Sequence, residues 1–169
     1  MPLPLEVGVE APEFLSCQGN WNEPIPAVDH NGNQISIKDF EGKCLALFFV
    51  SETKEKEYRE QKIAQLKMMD TFATKYKNAN VAFVAATVDE VGMMRELVEK
   101  AEIDFPYIHL QMFSPMGHEY NAYTNVTSTF TYVICDGKIH QSWNMDYPAK
   151  YGESHFEEVL AYIATNNLA

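Results

Sequence analysis

Unbroken apolar runs alternate along this chain with apolar stripes at three- and four-residue spacing. Cys44-Leu45-Ala46-Leu47-Phe48-Phe49-Val50 has no polar residue in it, the pattern of a strand buried on both faces. Val81 to Val88 predicts a second such strand. Between them, from about Glu55 to Lys77, Ile63, Leu66, Met69, Phe72, Ala73 and Tyr76 recur at helical steps and predict the longest helix. Val91 to Ala101 predicts another helix, with Met94, Leu97, Val98 and Ala101 on one side. Phe105 to Leu110 reads as a short strand, and Met112 to Tyr123 as irregular chain with a short helix after Pro115. Thr129 to Ile134 and Lys138 to Ser142 predict a hairpin across Asp136-Gly137, and Glu153 to Ala164 a closing helix. Near the start, Asn31-Gly32 predicts a hairpin between Ile25–Val28 and Gln34–Ile37.

Strand, helix, strand, helix, short strand, hairpin and helix, in that order, give a mixed central sheet with helices on both faces. The expected fold is a three-layer α/β sandwich with an N-terminal β-hairpin extension, and 169 residues suit a single domain over 1–169. The formal net charge of −11 argues against nucleic acid and anionic lipid as partners. No apolar run approaches the roughly 18 residues of a membrane span. The opening Met1-Pro2-Leu3-Pro4-Leu5-Glu6 lacks the basic and apolar regions of a signal peptide, so the expected location is cytoplasmic or otherwise intracellular unless a leader has been removed. Cys17, Cys44 and Cys135 are far apart, odd in number and without a CxxC, which does not read as a disulfide framework. The five histidines, His109 and His118 among them, do not pair with the cysteines at ligand spacing, so no metal and no other cofactor is expected.

Two segments carry a family resemblance. Val7-Gly8-Val9-Glu10-Ala11-Pro12-Glu13-Phe14 resembles "VGxxAPxF", and Asp29 to Lys43 resembles "DxxGxxxSLxDFxGK" without a gap. Ser128-Thr129-Phe130 and Asp136-Gly137-Lys138-Ile139 resemble a "STF…DGKI" hairpin, with one extra residue between its halves. These motifs are similar to those of the redoxin group of the thioredoxin superfamily, which includes peroxiredoxins and thiol:disulfide proteins. The resemblance implies a thioredoxin-like fold. It also implies a thiolate where the first core strand meets the first long helix.

That junction reads Val50-Ser51-Glu52-Thr53-Lys54-Glu55-Lys56-Glu57-Tyr58-Arg59 and holds no cysteine. On a peroxiredoxin alignment the motif Pro, Thr/Ser and Cys fall on Val50, Lys54 and Glu57, and the distant Arg falls on Thr127. On a thioredoxin alignment the CxxC falls on Thr53 to Lys56 and the cis-proline on Thr127 or Ser128. A helix N-terminus favours thiolate through its dipole and free N–H groups; Glu55 and Glu57 occupy that field as ordinary helix-start residues. The expectation is a redoxin that has lost its catalytic cysteines and serves as a binding or assembly module for another protein or for itself. Ser51, Glu52, Thr53, Val126, Thr127 and Ser128 are its expected contact surface. The alternative is a thiol-dependent peroxidase or thiol:disulfide oxidoreductase with a relocated cysteine. For that role Cys17, in an early loop, and Cys135, beside the Asp136-Gly137 turn and partly exposed, are the candidates; Cys44 is expected to act as a small buried hydrophobe. The Met- and aromatic-rich stretches around Tyr107, Met112, Phe113, Met116, Tyr120, Tyr123, Tyr132 and Trp143 are expected to be core or partner surface.

Overall fold

A computed structural model describes residues 3–18, 23–50, 52–53, 58–77, 80–111, 114–123, 129–145 and 153–166. The apolar run forms β3 (Cys44–Phe49), which is followed by α1 (Arg59–Lys75), β4 (Val81–Thr87), α2 (Val91–Ala101), β5 (Tyr107–His109) and α3 (Pro115–Glu119). The chain ends with β6 (Phe130–Cys135), β7 (Lys138–Asn144) and α4 (Glu153–Thr165). The five strands β3 to β7 make one sheet in the order β5-β4-β3-β6-β7. β3 is parallel to β4 and antiparallel to β6. A parallel pair needs a long crossover, and α1 is that crossover; the β6–β7 pair needs only the Asp136-Gly137 turn. Gly137 takes φ +74° there, a value glycine reaches without a Cβ penalty.

Every residue of β3 is buried, because the sheet is covered on both sides. Cys44, Ala46, Phe48 and Val50 face one core with Leu66 and Met69 of α1, Leu97 of α2 and Phe156 and Val159 of α4. Leu45, Leu47 and Phe49 face the other, with Phe14, Met116, Tyr120, Tyr123 and Tyr132. Each such large apolar side chain contributes roughly 1.5–3 kcal/mol on burial. Most of the aromatic-rich stretch is therefore core: Tyr107, Tyr120, Tyr123 and Tyr132 are fully buried. Met112 and Phe113 lie outside the described residues.

The N-terminal hairpin differs from expectation. The paired strands are β1 (Leu15–Gln18) and β2 (Glu23–Pro26). Asn31-Gly32 does turn the chain, with Asp29 Oδ1 accepting from the N–H groups of Asn31 and Asn33, but a single bridge, Val28 to Gln34, follows from it. Ile37–Phe40 is a 3-10 helix, capped reciprocally by Ser36 and Asp39. Glu13 Oε1 also accepts from Ile37 N–H at 2.9 Å. These side chains satisfy the backbone donors that a strand partner would otherwise have taken.

The cysteines also depart from expectation. The β3–β6 register sets Cys44 opposite Cys135 with their Cα atoms 4.5 Å apart, and the two form a disulfide. They are 91 positions apart in sequence, and it is the sheet register that brings them together. Cys135 is buried rather than partly exposed, and Cys44 is a bonded half-cystine rather than a free hydrophobe. Cys17 lies in β1 and is 2% exposed rather than in an open loop.

Candidate functional site at the end of β3

Parallel strands β3 and β4 end side by side, and the junction expected to hold a nucleophile begins there. Val50 continues the ladder by donating its N–H to Ala86 O at 3.0 Å. The Tyr123 hydroxyl, buried after α3, lies 2.6 Å from Val50 O and 2.7 Å from Ala86 O and shares its one proton between them. It closes the sheet end from the side. Gly117 makes this approach possible: a Cβ there would come within 2.9 Å of Tyr123 Cβ.

Beyond Val50 the chain is held by a carboxylate. Asp89, 1% exposed, follows β4 and accepts from Thr53 N–H at 2.5 Å through Oδ1 and from the Thr53 hydroxyl at 3.0 Å through Oδ2. Its own N–H donates to Thr87 Oγ1 at 3.1 Å. A buried carboxylate needs such partners, and bonds to a charged acceptor are the stronger kind. Lys62 of α1, 7% exposed, adds a cation to this buried region. Burial pushes its pKa down to about 8, against the opposing pull of the Asp89 charge. Burial likewise lowers the His109 pKa, again opposed by Asp89. Arg59, the first residue of α1, is tied sideways to α2, with Nη1 2.7 Å from Glu96 Oε1, while Lys100 Nζ lies 3.1 Å from the same oxygen. The Lys100 hydrogen bond, and after it the Arg59 charge, hold the Glu96 carboxyl below its ordinary range.

Of the residues singled out from the sequence, Val50 and Thr53 are buried and Glu52 is half-buried. Ser51, Lys54, Lys56, Glu57, Val126, Thr127 and Ser128 lie outside the described residues. Cys17 lies toward this end of the sheet, since its thiol points to Gln111 Oε1 at 3.5 Å just past β5, whose His109 pairs with Thr87; burial raises its pKa, which disfavours thiolate. Cys44 and Cys135 stand at the opposite end of β3. Sequence reasoning missed Asp89, Thr87, Tyr123 and Lys62 as junction residues. Lys62 did leave a signal, being spaced four and seven residues from Leu66 and Met69 and so on the buried stripe of α1. Among the described residues no group of three His, Cys, Asp or Glu side chains could hold a metal ion, and no helix is long and apolar enough to cross a membrane.

A five-stranded mixed sheet in the order β5-β4-β3-β6-β7 with helices packed on it defines a thioredoxin-like fold. The sequence matches the AhpC/TSA family over residues 7–142, and the chain belongs to that family. No curated protein sequence matches it significantly. Among solved structures it is similar to peroxidoxin BcpB of Mycobacterium tuberculosis, with a TM-score of 0.73 and 13% identity over 95% of this chain and 97% of that one. It is also similar to a candidate protein disulfide isomerase of Bacteroides thetaiotaomicron, with a TM-score of 0.68 and 18% identity over 97% and 92%. A third is the thiol peroxidase of Chromobacterium violaceum, with a TM-score of 0.66 and 11% identity over 99% and 91%. At these identities the likeness is one of fold.

Proposed function

We propose that this chain is a family member that does no thiol chemistry at the β3–α1 junction and serves there as a non-catalytic binding or assembly module. One observation carries the reading. Both donor groups of Thr53, a residue standing in the nucleophile's segment, are taken up by the buried Asp89 carboxylate. A peroxide or disulfide substrate needs a reachable thiolate beside free donors at a helix start. Here the sequence from Val50 to Arg59 has no thiol, and Val50 and Thr53 within it are held in internal hydrogen bonds. The partner is another protein or a second copy. The contact face includes half-buried Glu52 and the exposed apolar residues Tyr58, 52% exposed, and Val91, 41% exposed, at the starts of α1 and α2. The test is to assay peroxide reduction and insulin-disulfide reduction with the intact chain and with each cysteine replaced by serine. The reading requires no turnover in any of them; turnover abolished by one of the serines overturns it.

A second reading, a thiol:disulfide oxidoreductase or peroxidase with a relocated cysteine, has the Cys44–Cys135 disulfide in its favour. The burial of both half-cystines stands against it as a route to protein substrates.

A further inference from the structure

Cys44 is the first residue of β3 and Cys135 the last of β6, so the disulfide lies at the end of the sheet farthest from Thr53. Two properties of this position matter. The first is that the register holds the cysteines together whether or not they are bonded. Five consecutive residue pairs, from Cys44 with Cys135 to Phe48 with Thr131, align the two strands. A Cα separation of 4.5 Å is what an antiparallel non-hydrogen-bonded pair gives by itself, and it lies within the disulfide range. The reduced pair therefore stays in place for re-oxidation, at high effective concentration. The second is that strand ends open locally at lower free energy than strand centres. Cys135 adjoins the Asp136-Gly137 turn, and both half-cystine side chains lie at their strand ends on the sheet face covered by α1, α2 and α4. Reaching the sulfur requires only this end to fray.

We propose that Cys44–Cys135 is a site of reversible exchange with low-molecular-weight thiols, distinct from the family's junction. The attacking thiolate bonds to Sγ of Cys135, the more exposed of the two half-cystines at 9% against 5%. The disulfide electron pair leaves on Sγ of Cys44, which takes a proton. A second small thiolate then attacks the mixed disulfide at the small thiol's sulfur. It releases Cys135 as a thiolate, which takes a proton, and forms the small-molecule disulfide. Two thiols become one disulfide as the protein disulfide becomes a dithiol, and the reverse runs from the oxidised small molecule. The dithiol form loses the cross-link but keeps the ladder, so the fold persists with reduced stability.

The test equilibrates the native wild-type chain in glutathione buffers from fully reduced to fully oxidised, without denaturant. Acid quenching, maleimide tagging and peptide mapping then count free thiols at each cysteine. The site predicts that Cys44 and Cys135 are tagged together in reducing buffer and protected together after return to oxidising buffer, with the far-ultraviolet circular dichroism unchanged. It also predicts a melting temperature lower by roughly 5–15 °C in the reduced form. A pair that resists reduced glutathione until denaturant is added is a permanent staple, and a pair tagged even in oxidised glutathione is not a disulfide; either result overturns the proposal. Mapping by peptide keeps Cys17 separate without a variant that could fail to fold.

Discussion

Asp89 is the residue on which the junction depends. Its carboxylate takes two hydrogen bonds from Thr53, is itself 1% exposed and lies close enough to Lys62 and His109 to act on their pKa values. Asp89→Asn keeps the size but offers one acceptor oxygen in place of two and removes the charge. It should cost about 1–3 kcal/mol of stability, measured by urea unfolding, through an unsatisfied buried donor. A second residue has a sharper signature. His155, 2% exposed, lies 2.9 Å through Nε2 from Thr131 Oγ1 and packs edge-on against Phe48 and Trp143. Burial pushes its pKa down to about 4, with the Glu158 charge opposing. The unfolded chain, with an ordinary histidine near 6.5, binds the proton more readily. Neutral His155 therefore contributes stability that is whole above about pH 6.5 and is lost as pH falls through about 4, amounting to about 3 kcal/mol. Unfolding measured from pH 7 to pH 4 should show this acid limb in wild type and a flatter one in His155→Gln.

At the scale of elements, α3 acts as a spacer for the junction. Its helix is short, starts at Ser114 with Pro115 in the first turn, and brings Gly117 against Tyr123. Gly117→Ala forces a methyl group to within 2.9 Å of Tyr123 Cβ, where neither backbone can yield cheaply. The substitution should destabilise by about 1–3 kcal/mol and shift Tyr123 off the Val50 and Ala86 carbonyls, read as a change in near-ultraviolet circular dichroism beyond the loss in melting temperature. The same scale shows what the sequence made legible. Runs and stripes long enough to carry a period, such as Cys44–Val50 and Val91–Ala101, name their elements, since burial on two faces or one leaves that pattern directly. The stretch before residue 44 does not, because capping side chains such as Ser36, Asp39 and Glu13 settle its backbone there and no periodicity records them. The junction was half legible. That it holds no cysteine could be read from the residues, whereas Asp89 and Tyr123 reach it across 36 and 73 positions of chain.

For the whole molecule, two ends of one sheet carry different chemistry. At the C-terminal end of β3 the residues from Val50 to Arg59 include no cysteine, and the buried Asp89 carboxylate binds Thr53. At the N-terminal end a disulfide joins β3 to β6 where register alone brings two cysteines together. The second end can exchange with a small thiol, yet its half-cystines are too buried to dock on a protein disulfide. The chain belongs to the AhpC/TSA family over residues 7–142, so the proposed absence of thiol chemistry at the β3–α1 junction is the claim that most needs testing. The most direct measurement is hydrogen peroxide consumption by the intact chain with a thiol reductant in excess, against the same chain with all three cysteines replaced by serine. The account predicts that the two proteins consume peroxide at the same background rate; a rate in the intact chain that clearly exceeds the cysteine-free one would contradict it.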